Sequence, residues 1–366
     1  MTVLRTLRTT LMLARTSLKL AAALGVAVLL LAQPADAAPK KNFKLAWSIY
    51  VGWMPWQWAN DNGIVKKWAD KYGITIEVTQ FNDYVESINQ YTAGAFDGVT
   101  VTNMDALSIP AVGGVDTTAV IVGDFSNGND AVILKDKAKL TDIKGQKVNL
   151  VELSVSHYLL ARALESAGLT EKDITTVMTS DADMIAAYKT PAVTAVVIWN
   201  PIVAEITAMP NAHSVFDSSK IPGEIMDLAV VNSAVLKDNP NFGKALAAIW
   251  YETMATMSAS DAKGKAAREA MGKASGTDLA GFDGQLKTTR MFYTAPDALA
   301  FVRSGEPKAT MEKVRGFLFR HNLLGDGAKS ADVVGIQFAN GDVLGDKANV
   351  KFRFTDAYMA AAAAGL

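Results

Sequence analysis

The chain of 366 residues contains no cysteine. That excludes disulfides, thiolate nucleophiles, cysteine-held metals and a lipid anchor on an N-terminal cysteine, so stability has to come from a buried core. Only three histidines occur, His157, His213 and His321, without the spacing of a metal-ligand set. No G-x-S-x-G, no G-x-x-x-x-G-K and no H-E-x-x-H is present, so the common hydrolase, nucleotide-binding and metalloprotease signatures do not apply. No catalytic residue, metal or cofactor is expected. A basic excess is lacking too: 36 Lys and Arg against 37 Asp and Glu leave a net charge of −1, which argues against a nucleic-acid partner.

Long apolar runs are scarce. The run 20–31 has 12 residues, short of the ~20 that span a bilayer. It follows Arg5, Arg8, Arg15 and Lys19 and precedes Ala35-Asp36-Ala37. Basic leader, apolar stretch and small-residue site, in that order, read as a cleaved secretory signal over 1–37, with a retained membrane anchor as the alternative.

The remainder alternates short β-branched runs with longer helical patterns. Strands are predicted at 43–47, 74–80, 99–102 and 117–122, with helices at 54–71, 83–93 and 105–112 between them. A second series follows, with strands at 131–134, 147–150, 174–178 and 195–198 and helices at 154–167 and 181–188. One more strand at 229–232 precedes helices at 240–258, 262–272 and 307–323. The pattern predicts an α/β protein of two doubly wound lobes, built of parallel sheets around a ligand cleft, with a helical C-terminal part. The expected division is 38–127 for the first part of lobe 1, 128–227 for lobe 2, and 228–366 for the return to lobe 1 and the C-terminal helices.

In such sheets ligands bind beyond the carboxyl ends of strands, so the residues there carry the interest. Five of the seven tryptophans lie between residues 47 and 68. Aromatic faces attract planar cations by ~0.5–2 kcal/mol each; core packing is the alternative and suits Trp58 and Trp68, inside a helix. Tyr50, Trp53 and Trp56 are the candidate wall on one side, and Trp199 on the other. Carboxylates after strands are Asp83, Asp105, Asp124, Glu152, Asp181, Glu224 and Asp227. Asp83, Asp105 and Asp181 also fit as helix caps. Glu152 is a poor cap and is therefore the favoured ligand carboxylate. Asn103, Ser154 and Ser156 offer mixed donors and acceptors, with plain N-capping as the alternative for the serines, and His157 reads as a structural histidine. The expected ligand-binding set is Tyr50, Trp53, Trp56, Asp83, Asn103, Asp105, Glu152, Ser154, Trp199 and Glu224.

Several segments stand in a recognisable order. They are Gln90-Tyr91-Thr92-Ala93-Gly94-Ala95-Phe96-Asp97, Gly128-Asn129-Asp130-Ala131, Leu140-Thr141-Asp142-Ile143-Lys144-Gly145-Gln146-Lys147-Val148, Ser156-His157-Tyr158-Leu159-Leu160, Ala167-Gly168-Leu169 and Trp199-Asn200-Pro201. Over roughly residues 43–255 the chain resembles the substrate-binding proteins of nitrate/sulfonate/taurine-type ABC importers. The resemblance implies a type II periplasmic-binding-protein fold and a monomer in the periplasm. It also implies hinge closure on a small-molecule ligand and delivery to permease subunits in the inner membrane. The aromatic first loop and Asn103-Met104-Asp105 resemble the subgroup associated with urea and guanidine. The chain departs from anion-binding relatives at Val151-Glu152-Leu153-Ser154, where a carboxylate would repel an anion. Guanidinium is therefore expected to bind better than urea, with Glu152→Gln weakening it. The alternatives are a sulfonate, nitrate or quaternary amine on the same scaffold, or an enzyme acting on a small nitrogenous substrate.

Overall fold

The computed structural model describes residues 40–365; the expected leader 1–37 and its cleavage site lie outside them. The short β-branched runs form β1 (Asn42–Ser48), β2 (Thr75–Phe81), β3 (Gly98–Thr102) and β4 (Thr117–Ser126). A second group comprises β5 (Asp130–Lys135), β6 (Lys147–Leu150), β7 (Thr175–Met178), β8 (Ala195–Trp199) and β9 (Ala212–Asp217). The last group is β10 (Met226–Asn232), β11 (Thr289–Met291), β12 (Gly335–Gln337), β13 (Val343–Leu344) and β14 (Val350–Phe354). A nine-stranded sheet runs β13-β12-β14-β4-β10-β3-β1-β2 with β11 beside β4, and a five-stranded sheet runs β7-β6-β8-β5-β9. The chain leaves the larger sheet after Ser126, builds the smaller one, and returns at Met226.

This is the two-lobed α/β arrangement expected, with one correction. The sheets are mixed: β10 is antiparallel to β3 and β4, and β5 is antiparallel to β8 and β9. Each of these strands follows a crossing between lobes and so enters its sheet from the opposite end. β4 and β10 are buried along nearly their whole length, the mark of central strands covered on both faces.

The helix predicted over 54–71 is two, Pro55–Asp61 and Ile64–Lys71, broken at Gly63 with φ 75°, a backbone setting that glycine adopts without steric cost. Three helices position the site. Asp83 caps α1 (Tyr84–Thr92), accepting the Glu86 N–H at 2.8 Å. Ser154 caps α2 (Val155–Ser166), accepting the Ser156 N–H at 3.2 Å. Ser180 caps α3 (Asp181–Tyr188), accepting the Asp183 N–H at 3.2 Å. The long α4 (Pro240–Met257) packs on the larger sheet, where Phe242 stacks on Phe43 at 4.5 Å between centroids. Truncating such a buried Phe costs ~3–5 kcal/mol. The C-terminal part is less helical than expected: after α5 (Glu306–Arg320), β12, β13 and β14 extend the larger sheet, because Phe352 and Phe354 bury their rings beside β4. Among the described residues no helix is long and apolar enough to cross a membrane.

Candidate functional site

The strand ends of the two sheets meet at one level. There a small cavity is lined by Tyr50, Trp53, Tyr84, Thr102, Asp130, Val155, Trp199, Ile225 and Asp227. Tyr50 and Trp53 lie on the turn after β1, Tyr84 begins α1, Trp199 ends β8, Asp130 opens β5 and Asp227 lies near the start of β10. The turn is tight: a Cβ on Gly52 would come within 2.4 Å of the Tyr50 ring and 2.7 Å of the Asp124 carboxylate.

Four rings wall the space. Tyr50 meets Trp53 edge-on with centroids 5.0 Å apart, Trp53 and Tyr84 lie 5.8 Å apart, and Tyr84 meets Trp199 edge-on at 5.4 Å. The Trp199 indole Nε1–H donates to the Ile49 carbonyl at 3.4 Å, from one lobe to the other.

The rest of the lining is Thr102, Val155, Ile225 and the acids Asp130 and Asp227, and among the described residues no Lys, Arg or His borders the cavity. Asp227 faces Asp124 across the β10–β4 ladder, and both are buried. Burial, then the charge of Asp124, pushes the Asp227 carboxyl well above its ordinary range. Asp124 is also raised, by burial, against the opposing effect of a Tyr50 O–H that donates to it at 2.8 Å. Burial lifts Asp130 to about 7, although the Ser126 hydroxyl donates to it at 2.5 Å. Behind Tyr84, burial lifts Asp105 to about 6; it accepts from the Tyr84 hydroxyl at 2.7 Å, the Thr102 hydroxyl at 3.0 Å and the Val155 N–H at 3.3 Å. One oxygen each of Asp105, Asp124 and Asp227 is buried without a donor among the described residues. Concentrated acceptors inside an aromatic box match a planar ligand rich in N–H donors, and a positive one best.

Of the residues anticipated, Tyr50, Trp53 and Trp199 line the cavity and Asp105 lies just behind it. Trp56 packs on Trp250 at 5.3 Å, bordering a second small void that Asp227 also touches. Asp83 and Ser154 act as helix caps. Asn103 fastens the returning chain, donating to the Glu224 carbonyl at 3.2 Å and accepting the Met226 N–H at 2.9 Å. Glu224 is held by Tyr158 at 2.7 Å, Arg162 at 2.9 Å and Lys313 at 2.5 Å. That neutralises it and holds its carboxyl below the ordinary range despite burial. Glu152 is half-buried and outside the cavity wall, with its backbone N–H donating to Met178 Sδ at 3.2 Å. The acids that line the cavity are Asp130 and Asp227. Asp227 was one of seven carboxylate candidates; Tyr84 and Asp130 were missed.

A second cluster joins α2 to α5. His157, Glu171 and His321 bring their ligating atoms within 4.8 Å of one another. The His157 Nδ1 accepts the Leu153 N–H at 3.1 Å, which leaves the imidazole proton on Nε2, facing Glu171 Oε1 at 3.5 Å. A metal-binding nitrogen needs a lone pair there, with its ring partner donating. With its proton on Nε2, His157 turns an N–H toward Glu171 in place of a lone pair.

Residues 36–271 match the NMT1-like family. A protein of Brucella abortus described only as a binding protein is 24% identical over 187 residues, 50% of this chain and 57% of its own length. The chain therefore spans little more than half of that curated relative. The alkanesulfonate-binding protein of Xanthomonas axonopodis pv. citri, solved with MOPS, superposes with a TM-score of 0.63 at 14% identity, covering 79% of this chain and 96% of its own. The periplasmic nitrate-binding protein of Synechocystis superposes with a TM-score of 0.57 at 14% identity, covering 90% and 100%. At such identities the likeness is one of fold.

Proposed function

Because this chain belongs to the NMT1-like family, we propose that it is the extracytoplasmic binding component of an ABC importer and captures guanidinium in preference to urea. The carrying observation is the cavity's chemistry: four aromatic rings, the carboxylates Asp130 and Asp227, and no basic side chain on the wall. A sulfonate or nitrate needs donors and positive charge, and this wall supplies the reverse. Guanidinium presents N–H donors all round its plane and a cationic face to the rings. Urea presents a carbonyl oxygen as well, which would lie unfavourably against a carboxylate. The Val155 N–H, a donor on the wall, is already engaged by Asp105.

In this reading the lobes are 38–127 with 228–366, and 128–227. They close on the ligand about the two crossings, and the processed chain begins near Ala38 in the periplasm. It works as a monomer beside inner-membrane permease subunits. N-terminal sequencing of periplasmic material tests the export step; a retained leader in the membrane pellet contradicts it.

Calorimetry of the purified protein against guanidinium, urea, taurine, nitrate and glycine betaine tests the ligand. Guanidinium is expected to bind at least about tenfold more tightly than urea, the value of about 1.4 kcal/mol, with no heat from taurine or nitrate. Binding of taurine or nitrate without guanidinium overturns the reading. Preference for glycine betaine would make the rings a cage for quaternary amines. Product formation from urea or guanidinium would make the protein an enzyme.

A further inference from the structure

The N-terminus of α2 points into the cleft, and its Val155 N–H donates across the lobes to Asp105 Oδ2 at 3.3 Å. A helix N-terminus carries unpaired N–H groups and the positive end of the helix dipole, a natural seat for an anion. Here a carboxylate of the chain itself takes that seat. We infer that Asp105 is a built-in anion, which occupies the α2 N-terminus when the lobes meet, bars external anions from it and fixes the cleft's preference for cations.

A local capping role accounts for this geometry less well. Asp105 stands three residues after Thr102, whose hydroxyl accepts the Asp105 N–H at 3.4 Å. A capping carboxylate in that position would turn back to the Thr102 N–H. The Thr102 N–H instead donates to the Tyr84 hydroxyl at 3.1 Å. The Asp105 carboxylate gathers the Tyr84 and Thr102 hydroxyls and the N–H of the opposite lobe on a single oxygen. Its second oxygen is buried with no donor among the described residues, and the residue has no exposed surface. Burying a carboxylate this completely is costly unless its charge is used. One group thus links Tyr84, a wall of the cavity, to the closing helix and adds negative potential beside the ligand.

The inference rests on the proposed function only where guanidinium is the probe. Asp105→Ala removes three heavy atoms, the number in formate. The variant is expected to lose at least tenfold in guanidinium affinity. Millimolar formate should restore most of that loss. The variant should also bind formate or nitrate by calorimetry, which the unmutated protein should not. The last measurement stands whether or not guanidinium is the ligand. A folded Asp105→Ala protein with unchanged guanidinium affinity, or one that neither gains anion binding nor responds to formate, overturns the inference. Should the alanine variant fail to fold, Asp105→Asn keeps the shape without the charge. It should weaken guanidinium with no formate rescue, because the space stays filled; unchanged affinity there also overturns the inference.

Discussion

Asp227 and Asp124 stand opposite one another in the β10–β4 ladder, two buried carboxyls with one oxygen each lacking a donor among the described residues. Burial raises both carboxyls and the charge of Asp124 raises Asp227 further, so the pair resists carrying two charges. The first prediction follows from this opposition. Asp227→Asn should weaken guanidinium binding by about 1.5–3 kcal/mol, the worth of a hydrogen bond to a charged group, and affect urea much less. At pH 8 it should leave the melting temperature of the ligand-free protein little changed, because Asp227 is the carboxyl that keeps its proton and the one buried charge stays on Asp124. Equal losses for both ligands in parallel titrations would show that the site reads N–H donors without reading charge.

The second prediction concerns closure. The Tyr84 N–H at the start of α1 donates to Asp181 at the start of α3, at 3.2 Å, joining the two lobes. Guanidinium should make the unmutated protein scatter X-rays as a more compact particle. Asp181→Ala should reduce that compaction and weaken binding by about 1 kcal/mol, the net value of a typical hydrogen bond. An unchanged radius of gyration at saturating guanidinium would remove hinge closure from the account.

The parts of the site legible in the sequence were those that obey a positional rule. Tyr50, Trp53 and Trp199 follow strands whose apolar runs are unmistakable, and the strand-end rule for doubly wound sheets selects them. Asp130 escaped because it opens a strand after a crossing, a direction of travel that no local pattern encodes. Tyr84 escaped because it looks like an ordinary first residue of a capped helix; only the opposed lobe makes it a wall. Glu152 drew attention by failing as a cap, yet one turn of chain decides whether such a residue faces the cleft or its rim. Two of the C-terminal strands were hidden for another reason. Gly335–Gln337 and Val343–Leu344 are three and two residues long, too short for any alternation to register.

The third prediction separates acids that hold the fold from acids that face the cavity. Glu224 is buried between Tyr158, Arg162 and Lys313. Glu224→Gln removes the anion that Arg162 and Lys313 share and leaves Arg162 with Glu165 alone. Because Arg162 and Lys313 are partly exposed, water recovers part of the loss, and a destabilisation of about 1–3 kcal/mol is expected. The effect should appear in urea-free thermal or guanidinium-free chemical melts, while calorimetric affinity for guanidinium stays within about twofold. A large affinity loss at full stability would return Glu224 to the ligand site.

The last prediction is a pH dependence whose sign is set by burial. Burial lifts Asp105 to about 6 and Asp130 to about 7, and raises Asp124 and Asp227 as well. Unfolded carboxyls lose their protons near pH 4, so between there and about 7 the folded chain holds more protons than the unfolded one. Stability from these groups is fully present below the ordinary carboxyl pKa and is lost as pH rises through 6 to 7. His321, lowered by burial, acts in the opposite sense as pH falls, so a His321→Gln background isolates the carboxyls. A bound cation favours the ionised forms and must expel protons. Guanidinium affinity should therefore rise from pH 5.5 to 8, and the binding heat at pH 6.5 should change with the buffer's ionisation enthalpy. Stabilisation by guanidinium, read as the shift in melting temperature at low millimolar ligand, should grow over the same range as the ligand-free protein weakens. A dissociation constant flat across this range, with heats independent of buffer, would mean that the acids of the cavity do not exchange protons for the ligand.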